Sequence, residues 1–61
     1  MIKIFQHSTL VKEFEHYEEA VSYCEARLNA KQFVPIENGT LCFTHEDVEL
    51  DRGASYIIEI N

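Results

Sequence analysis

Residues 14–28, FEHYEEAVSYCEARL, are the stretch that decides the fold. Apolar side chains recur there at steps of three and four residues, which places them on one side of an α-helix. Glutamates lie in the first turn and basic residues lie at the end, so both complement the helix macrodipole. We predict a helix from about His16 to Ala30, with Asn29 as a left-handed stop. Its apolar stripe consists of Phe14, Tyr17, Val21, Cys24 and Leu28.

Two β-rich runs precede the helix, at residues 2–5 and 10–14, and together they predict a β-hairpin. A two-residue loop would set Lys3 opposite Lys12, and like charges directly opposed are unfavourable. We therefore expect a three-residue loop at residues 7–9. The pairs that this loop predicts are Ile2 with Phe14, Lys3 with Glu13 and Phe5 with Val11.

A second hairpin is predicted after the helix, from residues 32–36 and 40–44, because Asn38-Gly39 between them is a strong hairpin signal. Pro35 cannot donate a ladder hydrogen bond, so its strand should lie at a sheet edge or carry a bulge. With Asn38 and Gly39 in the turn, one face carries Val34, Ile36, Leu41 and Phe43, and the other carries Phe33, Pro35 and Cys42.

After the second hairpin, residues 45–54 have an ambiguous pattern, and residues 55–60 have the alternating pattern of a strand. Residues 45–54 could open with a capping box or alternate as a strand, and we favour a short strand at 48–51 followed by a turn at 52–53. Residues 55–60 alternate as a final strand, with Tyr56, Ile58 and Ile60 inward and Ile57 outward.

These elements predict a single domain over residues 1–61. The fold class is α+β, a two-layer arrangement in the order β-β-α-β-β-β. A mostly antiparallel sheet of four to five strands carries one helix on one face.

The charge is negative and unevenly distributed. The formal net charge is −6, and residues 32–61 carry one Lys or Arg against six Asp or Glu. Such a surface repels phosphate, which disfavours direct nucleic-acid binding, and it attracts a protein partner with a basic surface. With no apolar run of membrane-spanning length and no export signal, we expect a cytoplasmic protein with free thiols, and no membrane partner.

No motif in the sequence predicts catalysis, a cofactor or a metal. The histidines His7, His16 and His45 are far apart and lack metal-motif spacing, and neither an EF-hand loop nor a glycine-rich phosphate loop is present. Cys24 lies on the buried stripe of the helix, whereas the predicted register turns Cys42 away from the helix. We therefore expect no disulfide between them, no metal, no cofactor and no enzymatic activity.

Two surfaces are candidates for binding a partner. The first is the sheet face away from the helix, where the predicted registers gather apolar side chains beside Cys42, and apolar patches on small domains often mark interfaces. Its residues are Phe5, Val11, Phe33 and Ile57. The second is an acidic surface that would contact a basic partner. The alternative interpretation is that these carboxylates only make the protein soluble. Its residues are Glu46, Asp47, Glu49 and Asp51, with Glu18 and Glu25 on the helix.

We therefore expect a non-enzymatic binding protein, a homodimer, that inhibits or modulates a larger protein. Its acidic surface would imitate a phosphate backbone and occupy a basic nucleic-acid groove. Small acidic α/β proteins of this kind are often accessory proteins of viruses or mobile elements, an analogy that rests only on size, charge and fold class.

One alternative is a structural or regulatory subunit, or a homodimer, that binds by sheet-face packing or by adding the edge of the Pro35 or Ile57 strand. Another is a small metal-binding protein or enzyme that uses His45.

Overall fold

A computed structural model of the chain describes residues 1–45 and 55–60. It contains a five-stranded antiparallel sheet with one helix packed on one face, so the predicted α+β architecture is confirmed. The strand favoured at 48–51 and the turn at 52–53 lie outside the described residues. The elements are β1 (Ile2–Gln6), β2 (Thr9–Phe14), α1 (Tyr17–Arg27), β3 (Gln32–Ile36), β4 (Gly39–Phe43) and β5 (Ser55–Ile60).

The strands lie in the order β2-β1-β5-β4-β3, so β5 joins two hairpins that do not otherwise pair. The Pro35 strand, β3, lies at an edge of the sheet, as the missing proline N–H predicts. The Ile57 strand does not lie at an edge. Because β5 pairs with β1 on one side and with β4 on the other, the prediction that it could offer a free edge is wrong.

The first hairpin closes with a two-residue turn rather than the predicted three-residue loop. His7 and Ser8 form the turn, and both have positive φ, at 50° and 67°. Positive φ at both central residues gives a turn whose twist matches that of the flanking strands. The observed pairs are Ile2 with Phe14, Lys3 with Glu13, Ile4 with Lys12, Phe5 with Leu10 and Gln6 with Thr9.

A β-bulge reconciles the short turn with the charge pairing. The register shifts between Ile4 and Phe5, which leaves Val11 as the extra residue of β2. The predicted pairing of Phe5 with Val11 is therefore wrong, whereas the pairing of Lys3 with Glu13 is confirmed. The extra residue lets the chain keep the favourable two-residue turn without opposing two lysines.

The second hairpin turns one residue earlier than Asn38-Gly39 predicts. Glu37 and Asn38 form the turn, and Gly39 is the first residue of β4, where it pairs with Ile36. The reason is the close approach of β5, because a Cβ on Gly39 would lie 1.8 Å from the carbonyl oxygen of Ile58. The glycine is therefore required for space between two strands.

The helix is shorter than predicted and has polar contacts at both ends. The Glu19 carboxylate accepts a hydrogen bond from the His16 backbone N–H at 3.1 Å, which satisfies the backbone where the helix begins. Asn29 has φ 55°, as predicted for a left-handed stop. This conformation turns the chain so that the Ala30 N–H donates to the Cys24 carbonyl oxygen at 2.9 Å.

The core lies between the helix and one face of the sheet. Its fully buried side chains are Ile4, Ala20, Cys24, Cys42 and Ile58. Half-buried aromatic residues close its margins, including Phe14 and Tyr23, whose ring centroids lie 5.4 Å apart. The chain thus builds its core from small and aliphatic side chains in the middle and aromatic rings around them.

The face predicted for Phe33 and Cys42 is wrong. Cys42 pairs with Tyr56, and both share the helix side with the buried Ile58, while Phe33 pairs with Cys42 and packs against the core. Pairing with β5 determines the face, because directly opposed residues point to the same side of a sheet. The inward positions of Tyr56 and Ile58 and the outward position of Ile57 are confirmed.

A hydrogen bond between Tyr17 Oη and Thr40 Oγ1 joins the start of the helix to β4. Thr40 is buried, so its hydroxyl has lost water and depends on this partner.

Among the described residues, no helix has the length and apolar character needed to cross a bilayer.

We expect Tyr17→Phe to lower the free energy of unfolding by about 1–2 kcal/mol, because it leaves the Thr40 hydroxyl unpaired in the core. Tyr23→Phe is the matched control, since the Tyr23 ring contacts Phe14 and would remain. The double variant Tyr17→Phe/Thr40→Val should recover much of the loss, because no orphaned hydroxyl remains. Urea denaturation measures all three. Equal losses for Tyr17→Phe and Tyr23→Phe would contradict the role of the hydrogen bond.

Candidate partner-binding surface

An apolar row crosses the sheet on the face opposite the helix. Phe5 of β1 lies directly opposite Leu10 of β2 and Ile57 of β5, and Ile57 lies opposite Leu41 of β4, which in turn lies opposite Val34 of β3. Each of the five strands therefore contributes one apolar side chain. We call these five residues the apolar row.

The apolar row is accessible to solvent in the part of the chain that the structure describes. Leu10, Ile57 and Val34 are 46%, 40% and 39% exposed, and Phe5 and Leu41 are half-buried. Ile36 lies on the same face near one end and is also exposed. Continuous apolar surface of this kind marks interaction sites more often than scattered exposed residues do.

A row of alternating charge runs beside the apolar row. Lys3 of β1 lies opposite Glu13 of β2 on one side and Glu59 of β5 on the other. The apolar row is thus bordered by two carboxylates and one ammonium group. A partner that covers the row would meet a net negative margin there, which favours basic side chains on the partner.

A shallow depression of about 250 Å³ lies on this face, along β1 and β5 and beside the first turn. Its lining consists of Phe5, Ser8, Ile57 and Glu59, so its walls are apolar and its margin carries one hydroxyl and one carboxylate. Small-molecule pockets typically measure about 300–1,000 Å³. The dimensions of the depression suit a single side chain from a protein partner.

The structure brings some of the predicted apolar residues together and separates others. Phe5 and Ile57 are directly opposed, as expected for one interface. Val11 is exposed at the bulge of β2. Phe33 lies on the helix side, so its assignment to this surface is wrong.

Three members of the apolar row are absent from the predicted site. Leu10 takes the place expected for Val11, because the bulge moves the register. The predicted register puts Leu41 and Val34 on the helix side, because it assigns their hairpin the opposite face. The buried position of Ile58 and its pairing with Thr40 are what assign them to the outer face.

Two of the acidic residues predicted to bind a partner, Glu18 and Glu25, lie on the helix and not on the apolar face. Glu18 and Glu25 are exposed on α1, seven residues and about two helical turns apart, and therefore on one side of the helix. The helix layer separates that side from the apolar row. Glu46, Asp47, Glu49 and Asp51 lie outside the described residues.

The histidines lie in separate places. His7 is in the first turn, His16 precedes the helix and His45 follows β4, and all three are exposed. Within residues 1–45 and 55–60, no group of three His, Cys, Asp or Glu side chains has the geometry to hold a metal ion.

Cys24 and Cys42 meet in the core, contrary to the prediction that they lie on opposite sides of the sheet. Both are fully buried free thiols whose side chains are hydrogen-bonded to each other. The hydrogen bond with Cys24, reinforced by burial, raises the pKa of the Cys42 thiol.

Comparisons with protein-family models, with curated proteins and with solved structures gave no match to this chain.

Proposed function

We propose that this chain is a non-enzymatic binding module that docks a protein partner on the apolar row of its sheet. The observation that carries the proposal is the continuity of the row, since Leu10, Phe5, Ile57, Leu41 and Val34 follow one another across all five strands. Covering a partly exposed aliphatic side chain is worth about 1 kcal/mol, so a row of five can drive association.

The face of the sheet suits this role better than its edges. The two edge strands are β2 and β3. The bulge at Val11 interrupts the ladder of β2, and Pro35 lacks the N–H that a further strand would require. These features favour docking on the face over the alternative of strand addition.

The negative charge of the chain favours a partner with basic side chains. The chain carries a net charge of −6, and Glu13 and Glu59 lie next to the apolar row. A partner with an apolar ridge between basic side chains would complement both features, and opposite charges would also accelerate the encounter. A protein with a basic nucleic-acid-binding groove belongs to this class, and binding there would inhibit or modulate it.

A second copy of the chain is the other occupant that the apolar row supports. Two copies related by a twofold axis would present the same row to each other, as an isologous dimer requires. The net charge of −6 on each copy opposes this arrangement, and the opposition weakens as salt screens it. A basic partner is therefore the stronger proposal.

We expect Ile57→Lys to weaken partner binding by at least about tenfold, because it places a charge in the middle of the apolar row. Ile60→Lys is the matched control, since Ile60 is on the same strand, is 48% exposed and faces the helix side. Affinity capture with each variant, followed by quantitative mass spectrometry and binding measurements on the purified partner, measures the difference.

Ionic strength and oligomeric state complete this test. Binding to a basic partner should weaken as salt increases, whereas a homodimer should persist or strengthen and would appear in sedimentation of the purified chain. A partner retained equally by wild type, Ile57→Lys and Ile60→Lys would contradict docking on the apolar row. Circular dichroism of each variant checks that the fold is preserved.

A further inference from the structure

Cys24 and Cys42 form the one pair of thiols in the chain, and they lie against each other at the helix–sheet interface. Each is fully buried, Cys24 on the core side of α1 and Cys42 one residue before the end of β4. Both belong to the same core cluster as Ile4 and Ile58. The proposed binding surface uses neither thiol.

Two other contacts hold the helix segment against β4 on either side of this pair. Before it, the Tyr17 hydroxyl is hydrogen-bonded to Thr40, two residues ahead of Cys42 in the same strand. After it, the Lys31 N–H donates to the Phe43 carbonyl oxygen at 2.7 Å. The approach of the two sulfur atoms is thus set by backbone and side-chain contacts at both ends.

We propose that Cys24 and Cys42 are an oxidisable pair, which a small disulfide such as oxidised glutathione converts into an intramolecular disulfide joining α1 to β4. The two protein thiols are oxidised and the glutathione disulfide is reduced. Two S–H bonds and one S–S bond are exchanged for one protein S–S bond and two glutathione thiols, so atoms and electrons balance.

The disulfide forms in two exchange steps. Cys24 lies on α1 and is separated from Cys42 of β4 when the helix opens, so its thiol meets solvent, loses its proton and attacks the small disulfide. This first step releases one glutathione thiolate. Cys42 then loses its proton to solvent and attacks the Cys24 sulfur, which releases the second.

Burial makes the reaction depend on opening of the helix. Neither side chain is exposed, so the oxidant reaches Cys24 only when α1 separates locally from the sheet. Once formed, the bond holds α1 on β4 and constrains the unfolded chain. Loops of about 15 residues closed by disulfides stabilise proteins by an amount that corresponds to roughly a hundredfold in the folding equilibrium constant.

The test is to incubate the wild-type protein with oxidised glutathione and to follow its intact mass and free thiols after denaturing alkylation. We expect a monomer that has lost two hydrogen atoms, has no alkylatable thiol and unfolds at a higher urea concentration than the reduced form. Low concentrations of urea should accelerate the oxidation, because they favour opening of the helix.

Single-cysteine variants provide the matched controls. Cys42→Ser should accumulate the mixed disulfide of Cys24 with glutathione, and its stability should not rise. Protein that remains reduced, forms only mixed disulfides, forms only disulfide-linked dimers or becomes less stable when crosslinked would overturn the proposal. Because the principal measurement uses wild-type protein, failure of a variant to fold leaves the result intact. None of these outcomes depends on the proposed function.

Discussion

Gly39→Ala should strongly destabilise the folded chain. The new Cβ would lie 1.8 Å from the carbonyl oxygen of Ile58 and within 3.2 Å of the Glu59 Cα, both of which are backbone atoms of β5. Backbone of a central strand cannot move aside without loss of its pairing with β4. We expect a loss of about 3 kcal/mol or more in the free energy of unfolding, at the upper end of single substitutions.

That loss is a large fraction of the free energy of unfolding expected for a chain of this size. A domain of 61 residues has a free energy of unfolding of roughly 3–9 kcal/mol. Circular dichroism and urea denaturation measure the effect, and Asn38→Ala, in the adjacent exposed turn, is the control expected to change stability by less than about 1 kcal/mol. A Gly39→Ala protein with wild-type stability would show that β4 and β5 do not approach this closely.

Ile58→Ala is the second substitution for which we expect a large effect. Ile58 is fully buried and lies between Ile4 of β1 and Thr40 of β4, at the centre of the sheet and beneath the helix. Truncation removes buried methyl and methylene groups and leaves a cavity that the neighbouring strands cannot close. The expected loss is about 2–5 kcal/mol.

Ile57→Ala is a closely matched control for Ile58→Ala. It removes the same atoms from the neighbouring residue of the same strand, but Ile57 is 40% exposed on the outer face. We expect a loss of less than about 1.5 kcal/mol there. The two variants compared by urea denaturation thus report which face of β5 is covered. Equal losses would contradict the assignment of Ile57 to the more exposed face of β5.

Local patterns in the sequence predict where the helix and the strands lie along the chain, but they do not predict which face of the second hairpin packs against the helix. The helix, its stop at Asn29, both hairpins and the final strand all follow from spacing and turn chemistry between neighbouring residues. The face of the second hairpin does not, because Phe33 and Cys42 on one side and Val34 and Leu41 on the other are similarly apolar. Only the pairing of β4 with β5, distant in sequence, decides between the two.

The errors in both turns have a similar origin. Asn38-Gly39 favours a turn by local propensity, but β5 passes so close that the glycine is needed within β4. In the first hairpin, Lys3 lies opposite Glu13 as the charges predict. A β-bulge produces this pairing, and the alternation of apolar and polar residues gives no sign of the bulge. The bulge explains why Val11 was predicted in place of Leu10. The reversed face of the second hairpin, and not its turn, explains why Leu41 and Val34 were not predicted.

The central position of β5 has a consequence for the kinetics of folding. Each hairpin can close on its own in about 1–10 μs, but a lone hairpin is at best marginally stable in water. The pairing of Ile2 with Ile60 brings together opposite ends of the chain, and closing so long a loop is slow. The rate-limiting barrier should therefore be the insertion of β5 between two preformed hairpins, with the folding nucleus centred on Ile4 and Ile58.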